Sequence, residues 1–136
     1  MKVRLLIFYT TLLFLTTISC KKPVQNNGLI GNWKLVERYD GYLNGGNFRW
    51  NSVSSANSHI LSFTASGNYL RTETINGTQF NCAGTYLLQA DNKLEINSSC
   101  NSGTEKAFVS ELTSKTLLLD GSGIEGVIRN KYLASK

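Results

Sequence analysis

The sequence predicts an all-β domain that folds as an eight-stranded antiparallel up-and-down meander. Apolar and polar residues alternate with a period of two through most of the chain beyond residue 28, as in strands with one buried face. Short turn-forming segments separate these runs, and no convincing helical pattern is present. Because the connections are short, each strand is expected to pair with its neighbour in the chain.

The first 19 residues have the composition of a cleavable export signal. Lys2 and Arg4 precede an almost wholly apolar run, Leu5–Leu15, and a polar segment follows it. As a helix this run would reach only ~16 Å, about half of the ~30 Å hydrocarbon core of a bilayer. A permanent membrane span is therefore the weaker interpretation.

Cys20 indicates which type of signal this is. The segment Thr17-Ile18-Ser19-Cys20 resembles a lipobox, in which the cysteine is joined to diacylglycerol and becomes the mature N-terminus, although Thr17 stands where that motif usually has Leu. An ordinary secretory signal that contains a cysteine is the alternative. Residues 20–28 are expected to form a short, polar, lipid-anchored linker. Residues 29–136 then suffice for one small domain.

The charge of the chain argues against nucleic acid as a partner. The whole sequence carries a net charge of +5, and loss of Lys2 and Arg4 with the signal leaves 12 basic and 9 acidic residues, a net +3. Two of the remaining positive charges, Lys21 and Lys22, lie beside the predicted anchor, where they are expected to contact anionic lipid head groups. The domain shows no basic run interleaved with aromatic residues.

The remaining cysteines, Cys82 and Cys100, are expected to form a disulfide in an oxidising compartment. Together with His59, the single histidine, they do not have the spacing of a zinc site, and we predict no metal and no cofactor. His59 is also the only imidazole available as a catalytic base, and no pair of carboxylates has a recognisable catalytic spacing. We therefore predict no catalytic residues and no enzyme.

Eight strand-like runs follow one another with turn signals between them. Asn76-Gly77 is the strongest turn, because both positions of a type I′ turn need positive φ. The predicted strands are Asn32–Tyr39, His59–Phe63, Asn68–Ile75, Gln79–Gln89, Lys93–Asn97, Lys106–Leu112, Thr116–Asp120 and Ile124–Leu133.

A hairpin register supports the disulfide independently. If Ala90-Asp91-Asn92 forms a three-residue loop with Asn92 in the left-handed conformation, the register across the hairpin is fixed. Leu94, Ile96 and Cys100 are then expected to point inward, since the residues between Leu94 and Ile96 and on either side of them are polar. The opposed pairs are Leu88 with Leu94, Tyr86 with Ile96, and Cys82 with Cys100.

The register through Asn76-Gly77 leaves two alternatives. It places Arg71 opposite Cys82, so that an inward Cys82 would bring Tyr69, Arg71 and Glu73 inside as well. Buried charges are costly unless they are paired or solvated, which a water-filled cavity would allow. The other possibility is a β-bulge near Ala83-Gly84 that returns Leu70 and Thr72 to the interior.

Two short motifs resemble those of a known family. Gly31-Asn32-Trp33 is similar to the Gly-x-Trp on the first strand of lipocalins, and Gly84-Thr85-Tyr86 is similar to a motif in lipocalin-like lipoproteins of Bacteroidetes. The resemblance implies an eight-stranded closed barrel. It also implies that Trp33 fills the barrel floor and that Arg129, or alternatively Lys131, packs across it. No long helix follows the last strand, which argues against a deep ligand cavity.

The resemblance implies a membrane-anchored protein that binds a small hydrophobic or amphipathic ligand. A filled barrel that acts as a cell-envelope interaction module, without ligand or catalysis, is the alternative. The loop Gly41–Ser58 contains Phe48 and Trp50, which are expected either to contact a ligand or partner or to cap the core. The full set of candidate contacts is Phe48, Trp50, Tyr69, Arg71, Glu73 and Tyr86.

The expected location is the cell envelope, with the chain attached to the outer membrane by its diacylglycerol anchor. In the bacterial group that the sequence resembles, surface export goes with acidic residues just after the lipidated cysteine. This chain has Lys21 and Lys22 there, which favours the periplasmic side. The sequence makes no prediction about oligomeric state.

Overall fold

A computed structural model of the chain describes residues 27–43, 45–54, 56–123 and 126–136. The predicted signal peptide, Cys20 and the linker up to residue 26 lie outside the described residues. The described part forms nine strands after a short 3-10 segment, Asn27–Leu29. The strands are β1 Gly31–Tyr42, β2 Trp50–Ser52, β3 His59–Phe63, β4 Asn68–Ile75, β5 Thr78–Leu88, β6 Lys93–Ser98, β7 Glu105–Leu112, β8 Thr116–Gly123 and β9 Gly126–Ser135.

Eight of these strands close into one antiparallel barrel. β3 to β9 pair in chain order, and β1 pairs with both β3 and β9, which joins the two edges of the sheet. The short β2 lies beside the second half of β1, beyond the point where β3 leaves it. The predicted eight-stranded antiparallel barrel is therefore confirmed. β2 lies within the loop after β1 and was not predicted.

The turn residues produce the registers expected of them. Asn76 and Gly77 have φ of 51° and 81°, and Asn92 has φ of 63°. Arg71 pairs with Cys82, and Leu88 pairs with Leu94. The pairing of β4 with β5 continues without a shift from Asn68 to Ile75, so the alternative bulge near Ala83-Gly84 is not formed.

The disulfide between Cys82 and Cys100 is confirmed, with 5.4 Å between the two Cα atoms. Cys82 is buried on β5, whereas Cys100 lies beyond the end of β6 and is exposed. Cys100 was expected to point inward; it is exposed at the end of the barrel, with its Sγ bonded to the inward-facing Cys82. The regular β5–β6 pairing ends at Gly84 and Ser98, so strand alternation no longer sets the orientation of Cys100.

The two ends of the barrel differ. We call the end that carries the turns after β3, β5 and β7 the closed end. There Leu29, the last residue of the segment Asn27–Leu29, is fully buried in the barrel, and the indole Nε1 of Trp33 donates a hydrogen bond to the carbonyl oxygen of Leu29 at 2.9 Å. The opposite end, with the long loop 43–58 and the connections after β4 and β6, is the open end.

The closed half of the interior is filled by apolar side chains. Burying this many large apolar groups is the main stabilising contribution to such a fold. The most completely buried members are Leu29, Phe63, Leu94 and Leu117. No helix in the described residues is long and apolar enough to span a bilayer.

A β-bulge in β1 changes which side chains face the interior. The pairing of β1 with β9 shifts between Leu35 and Glu37, so Val36 is an extra residue. Trp33 and Leu35 face inward before the bulge. Beyond it the alternation is reversed, and Arg38 pairs with Asn130 on the inner face. The carbonyl oxygen of Val36 accepts a hydrogen bond from the amide of Val53, which fixes the loop to the bulge.

Candidate functional site

The open end of the barrel contains a cavity of about 620 Å³. That volume lies within the range of roughly 300–1,000 Å³ that small-molecule sites occupy. The cavity is formed between the second half of β1, the ends of β3 and β4, and the loop before β3. Its wall combines apolar and ionisable side chains, namely Leu35, Val53, Ile75, Arg38, His59 and Glu73.

A second cavity of about 470 Å³ adjoins the first between β1 and β9. Arg38 and Asn51 line both cavities, so the two spaces meet at these side chains. Tyr42 and Ile128 supply apolar surface in the second cavity, and Asp40 and Asn130 supply polar groups.

A layer of charged side chains crosses the interior between these cavities and the apolar core. Arg71 is central to it, because its guanidinium lies 3.6 Å from a carboxylate oxygen of Glu73 and 3.7 Å from one of Glu105. His59 extends the layer, with Nδ1 3.8 Å from Glu73. Arg71 is thus shared by two carboxylates, which reduces the cost of burying these charges but leaves the three side chains with one net negative charge.

His59 is neutral in this environment at pH 7. Burial lowers the pKa of His59 from 6.5 to about 4; the Glu73 carboxylate opposes that change, and the guanidiniums of Arg71 and Arg38 add to it. The ring Nε2 is buried without a hydrogen-bond partner among the described residues. The imidazole ring packs edge-on against Tyr132, with 5.7 Å between ring centroids. With so low a pKa, His59 is a poor general base at neutral pH.

Two tyrosines form the boundary between the polar layer and the core. Tyr69 and Tyr132 are almost fully buried, and burial raises the pKa of each above the ordinary value of 10, so both phenols stay protonated. Within the described part of the chain, neither hydroxyl makes a hydrogen bond. A polar group placed beside them would therefore find two unused donors.

Three of the predicted contact residues, Tyr69, Arg71 and Glu73, do lie on the inner face. The sequence left their orientation open, and the unshifted β4–β5 register decides it. Tyr86 also packs against the core, but at the closed end. Its hydroxyl donates to the carbonyl oxygen of Thr64 at 2.8 Å at the closed end, and its ring packs on Phe63. The structure thus gives Tyr86 a packing role far from the cavities.

The aromatic residues of the long loop do not cap the core. Trp50 lies on the outer face of β2, where its ring contacts Tyr39 at a centroid distance of 5.6 Å. Phe48 and Trp50 are 52% and 42% exposed, and neither lines the two cavities. The loop residue that does reach the core is Val53, which is partly buried against it.

The predicted contact between Arg129 and Trp33 is also wrong. Trp33 is buried at the closed end as expected, but its partner on β9 is Ala134. Arg129 pairs with Tyr39, six residues further along β1, or about 20 Å at the rise of a strand. Its side chain lies on the outer face, 3.3 Å from Asp120.

Lys131, the alternative to Arg129, is likewise on the outer face, where its Nζ binds Glu37 at 2.8 Å. Because Tyr132 faces inward, strand alternation turns Lys131 and Arg129, one and three residues before it, outward.

Solved structures include two similar chains from Bacteroides. A lipocalin-like protein from Bacteroides uniformis superposes with a TM-score of 0.60 at 20% sequence identity, over 79% of this chain and 99% of that one. The fold is lipocalin-like. An uncharacterized protein from Bacteroides eggerthii gives a TM-score of 0.57 at the same identity and the same coverage of both chains. No protein-family model matches the sequence, and no curated protein matches it either.

In this lipocalin-like barrel, sequence reasoning missed Arg38 and Asn130. Both are ordinary polar residues in alternating strands, and only the bulge at Val36 gives Arg38 its inward orientation. No signal in the sequence marks that bulge. Among the described residues, no three His, Cys, Asp or Glu side chains are grouped so that they could hold a metal ion.

Proposed function

We propose that the chain is a membrane-anchored, lipocalin-like lipoprotein that binds a small hydrophobic or amphipathic ligand at the open end of its barrel. The observation that carries this proposal is the cavity of about 620 Å³ between β1, β3 and β4. Leu35, Val53 and Ile75 give it an apolar wall, and Arg38, His59 and Glu73 place polar groups beside that wall. A few polar groups within an apolar lining are typical of small-molecule sites.

The packing of the barrel limits where such a ligand lies. Tyr69 and Tyr132 close off the interior below the charged layer, and the closed half is filled by core side chains. A ligand therefore occupies only the open half of the barrel and is not enclosed in a deep apolar cavity. This favours a compact or amphipathic molecule whose polar end meets the charged layer.

The proposal is tested with a matched pair of variants on β4. Ile75 lines the cavity and Leu70 lies on the outer face of the same strand, and both are exposed to a similar degree, 48% and 39%. Ile75→Asp is expected to weaken the binding of a neutral apolar fluorescent probe, since it places a carboxylate in the apolar wall. Leu70→Asp should leave probe binding unchanged. Equal effects of the two variants, or no binding by the parent chain, would contradict the proposal.

The ionisable groups at the open end suit binding better than catalysis. His59 has a pKa of about 4 and no hydrogen-bonded nucleophile in the described part of the chain, while Glu73 and Glu105 are engaged with Arg71. General-base chemistry requires a base whose pKa is near the working pH and which contacts the proton it removes. We therefore propose a non-catalytic role. An activity that His59→Gln abolishes would contradict it.

An interaction module is the second candidate, and the exposed residues of the long loop favour it. Tyr42, Leu43, Phe48 and Trp50 are large apolar side chains that remain 38–74% exposed near the open end. Such exposed clusters often mark contact surfaces. If this candidate holds, cross-linking in intact cells should capture a partner of the parent chain, and replacing Phe48 and Trp50 with Ser should abolish that cross-link. Leu87→Ser, on the outer wall of β5, should leave the cross-link unchanged.

We include lipidation of Cys20 in the proposal, with the chain held at the outer membrane on its periplasmic side. The lipobox-like Thr17–Cys20 and the polar residues after it support this. Intact mass spectrometry of membrane-extracted protein should find residues 1–19 removed and a diacylglycerol group on Cys20. A soluble, unlipidated chain would contradict the anchor but not the ligand site, because the described barrel begins only at residue 27.

A further inference from the structure

Arg38 lies on the inner face at the open end, where it is exposed, and it makes no ion pair among the described residues. Its Nε donates a hydrogen bond to the side-chain oxygen of Asn130 at 3.0 Å, which fixes the plane of the guanidinium. No carboxylate in the described parts of the chain lies within ion-pair distance of it. The two terminal nitrogens make no hydrogen bond within the described residues, and arginine can bind both oxygens of a carboxylate with these groups.

The other charges around Arg38 are already engaged or lie further away. Arg71 is shared by Glu73 and Glu105, and His59 is neutral at pH 7. Asp40 lies two residues along β1, about 7 Å away at the strand repeat, and one of its oxygens accepts the amide hydrogen of Tyr42. Among the described residues Arg38 therefore makes no ion pair, whereas Arg71 does, although the carboxylates of Glu73 and Asp40 line the same two cavities.

Apolar surface begins directly beside this cation. Arg38 belongs to both cavities, and their walls include Val53 and Ile75 on one side and Tyr42 and Ile128 on the other. A molecule with an anionic end at Arg38 would lay a hydrocarbon segment against either wall. A purely apolar molecule would leave the guanidinium without a partner and would lose this contact.

We propose that the open end selects amphipathic carboxylates, with Arg38 binding the head group through its two terminal nitrogens and Asn130 orienting the guanidinium. This inference rests on the proposed ligand-binding function and adds the chemical class of the ligand. A carboxylate is planar and carries a single charge, so one arginine suffices to bind it. The guanidinium presents two parallel N–H donors, one for each carboxylate oxygen.

The first test compares two ligands that differ in the head group. Octanoate and octan-1-ol are titrated at pH 7.5 into the chain without its first 20 residues, which contains the whole described barrel. Octanoate is expected to bind roughly tenfold tighter or more, the usual contribution of a charge-assisted hydrogen-bonded pair. Arg38→Gln should weaken octanoate binding roughly 10- to 100-fold and leave octan-1-ol unaffected. Arg38→Lys should fall between, because it keeps the charge and loses the paired donors.

Arg129→Gln is the matched control, because it removes the same charge from the outer face of the barrel. Weakening by Arg129→Gln equal to that by Arg38→Gln would mean attraction by net charge and would overturn the inference. Equal affinity for octanoate and octan-1-ol would overturn it too, while leaving the ligand site intact. If neither compound binds, the inference and the proposed function both fail. Circular dichroism shows whether each variant is folded. Arg38→Lys provides a second substitution at the same position if Arg38→Gln does not fold.

The pKa of His59 offers a second measurement, because only binding near Arg38 should change it. It is the single histidine of the chain, so one NMR ring signal reports its titration. Octane-1-sulfonate remains ionised at pH 4, and its charge beside Arg38 should raise the pKa of His59 above about 4, because it offsets the lowering effect of the Arg38 guanidinium on that pKa. Octan-1-ol should give no rise. A pKa that stays unchanged when octane-1-sulfonate is bound would overturn the assignment of Arg38.

Discussion

At the scale of single residues, orientation could be predicted wherever a turn fixed the register. Asn76-Gly77 placed Arg71 opposite Cys82, and the structure has that pairing. Arg129 was assigned by resemblance alone, without a turn to fix the parity of its strand, and it lies on the wrong face. The bulge at Val36 is the second reason why orientations could not all be predicted. Regular alternation from Trp33 would have placed Glu37 inside and Arg38 outside.

The buried state of His59 predicts a specific loss of stability in acid. The unfolded chain binds a proton on this histidine below about pH 6.5, whereas the folded chain stays neutral down to about pH 4. The free energy of unfolding should therefore fall as pH drops through this window, by up to about 3 kcal/mol from His59. Urea unfolding of the parent and of His59→Gln at several pH values measures it. Parallel pH profiles of the two chains would contradict the prediction.

At the scale of secondary-structure elements, the strands were predictable because short turns separate clear alternating runs. Asn68–Ile75 and His59–Phe63 have the predicted boundaries. β8 instead continues to Gly123, three residues beyond the predicted end at Asp120, and β9 is displaced from the predicted Ile124–Leu133 to Gly126–Ser135. β2 could not be predicted, because Trp50–Ser52 is three exposed residues that pair only with the far half of β1. The arrangement of the open end depends on this strand and on the bulge. It could therefore not be predicted from the sequence.

Gly84 permits a close approach between β5 and β6. A Cβ atom at this position would overlap with the backbone carbonyl oxygen of Asn97. We expect Gly84→Ala to lower the free energy of unfolding by about 1–3 kcal/mol, the usual cost of forced overpacking. Gly103→Ala is the control, since a Cβ there meets no atom within 4 Å. Thermal unfolding of both variants decides the matter, and equal melting temperatures would refute this role of Gly84.

The disulfide should contribute to stability chiefly by joining β5 to the connection after β6. Cys82 and Cys100 are 18 residues apart, and a loop of this length restricts the unfolded chain by about 3 kcal/mol. Replacing both cysteines with Ser should therefore lower the free energy of unfolding by about 2–4 kcal/mol. Denaturant unfolding of the oxidised parent and the double variant measures the difference. If the two chains are equally stable, the cross-link has no such effect.

At the scale of the whole molecule, the barrel combines a packed half with an accessible one. The polarity of the inner face changes along β4, from buried Tyr69 to Arg71 and Glu73. Strand count and chain order were predictable from the sequence, whereas the depth of packing was not, because it depends on how side chains from eight strands fit together. A narrow interior filled by two tyrosines leaves room for ligands only at one end.

The segment Asn27–Leu29 should be part of the folding unit. Leu29 is fully buried, and its carbonyl oxygen accepts the hydrogen bond of the Trp33 indole. A chain that begins at Gly31 should lose about 2–4 kcal/mol of unfolding free energy relative to one that begins at Asn27, mainly through loss of Leu29. Chemical denaturation of the two truncated chains provides the comparison. Equal midpoints would show that the segment is dispensable.

The position of Asn27 has a consequence for how a tethered molecule would meet its surroundings. The described chain enters the barrel at the closed end, on the opposite side of the molecule from the cavities. An anchor attached before Asn27 would hold that end towards the bilayer and turn the cavities towards the aqueous phase. Cargo would then be exchanged with water or with another soluble protein, and extraction of lipid from the anchoring leaflet would require the barrel to tilt over.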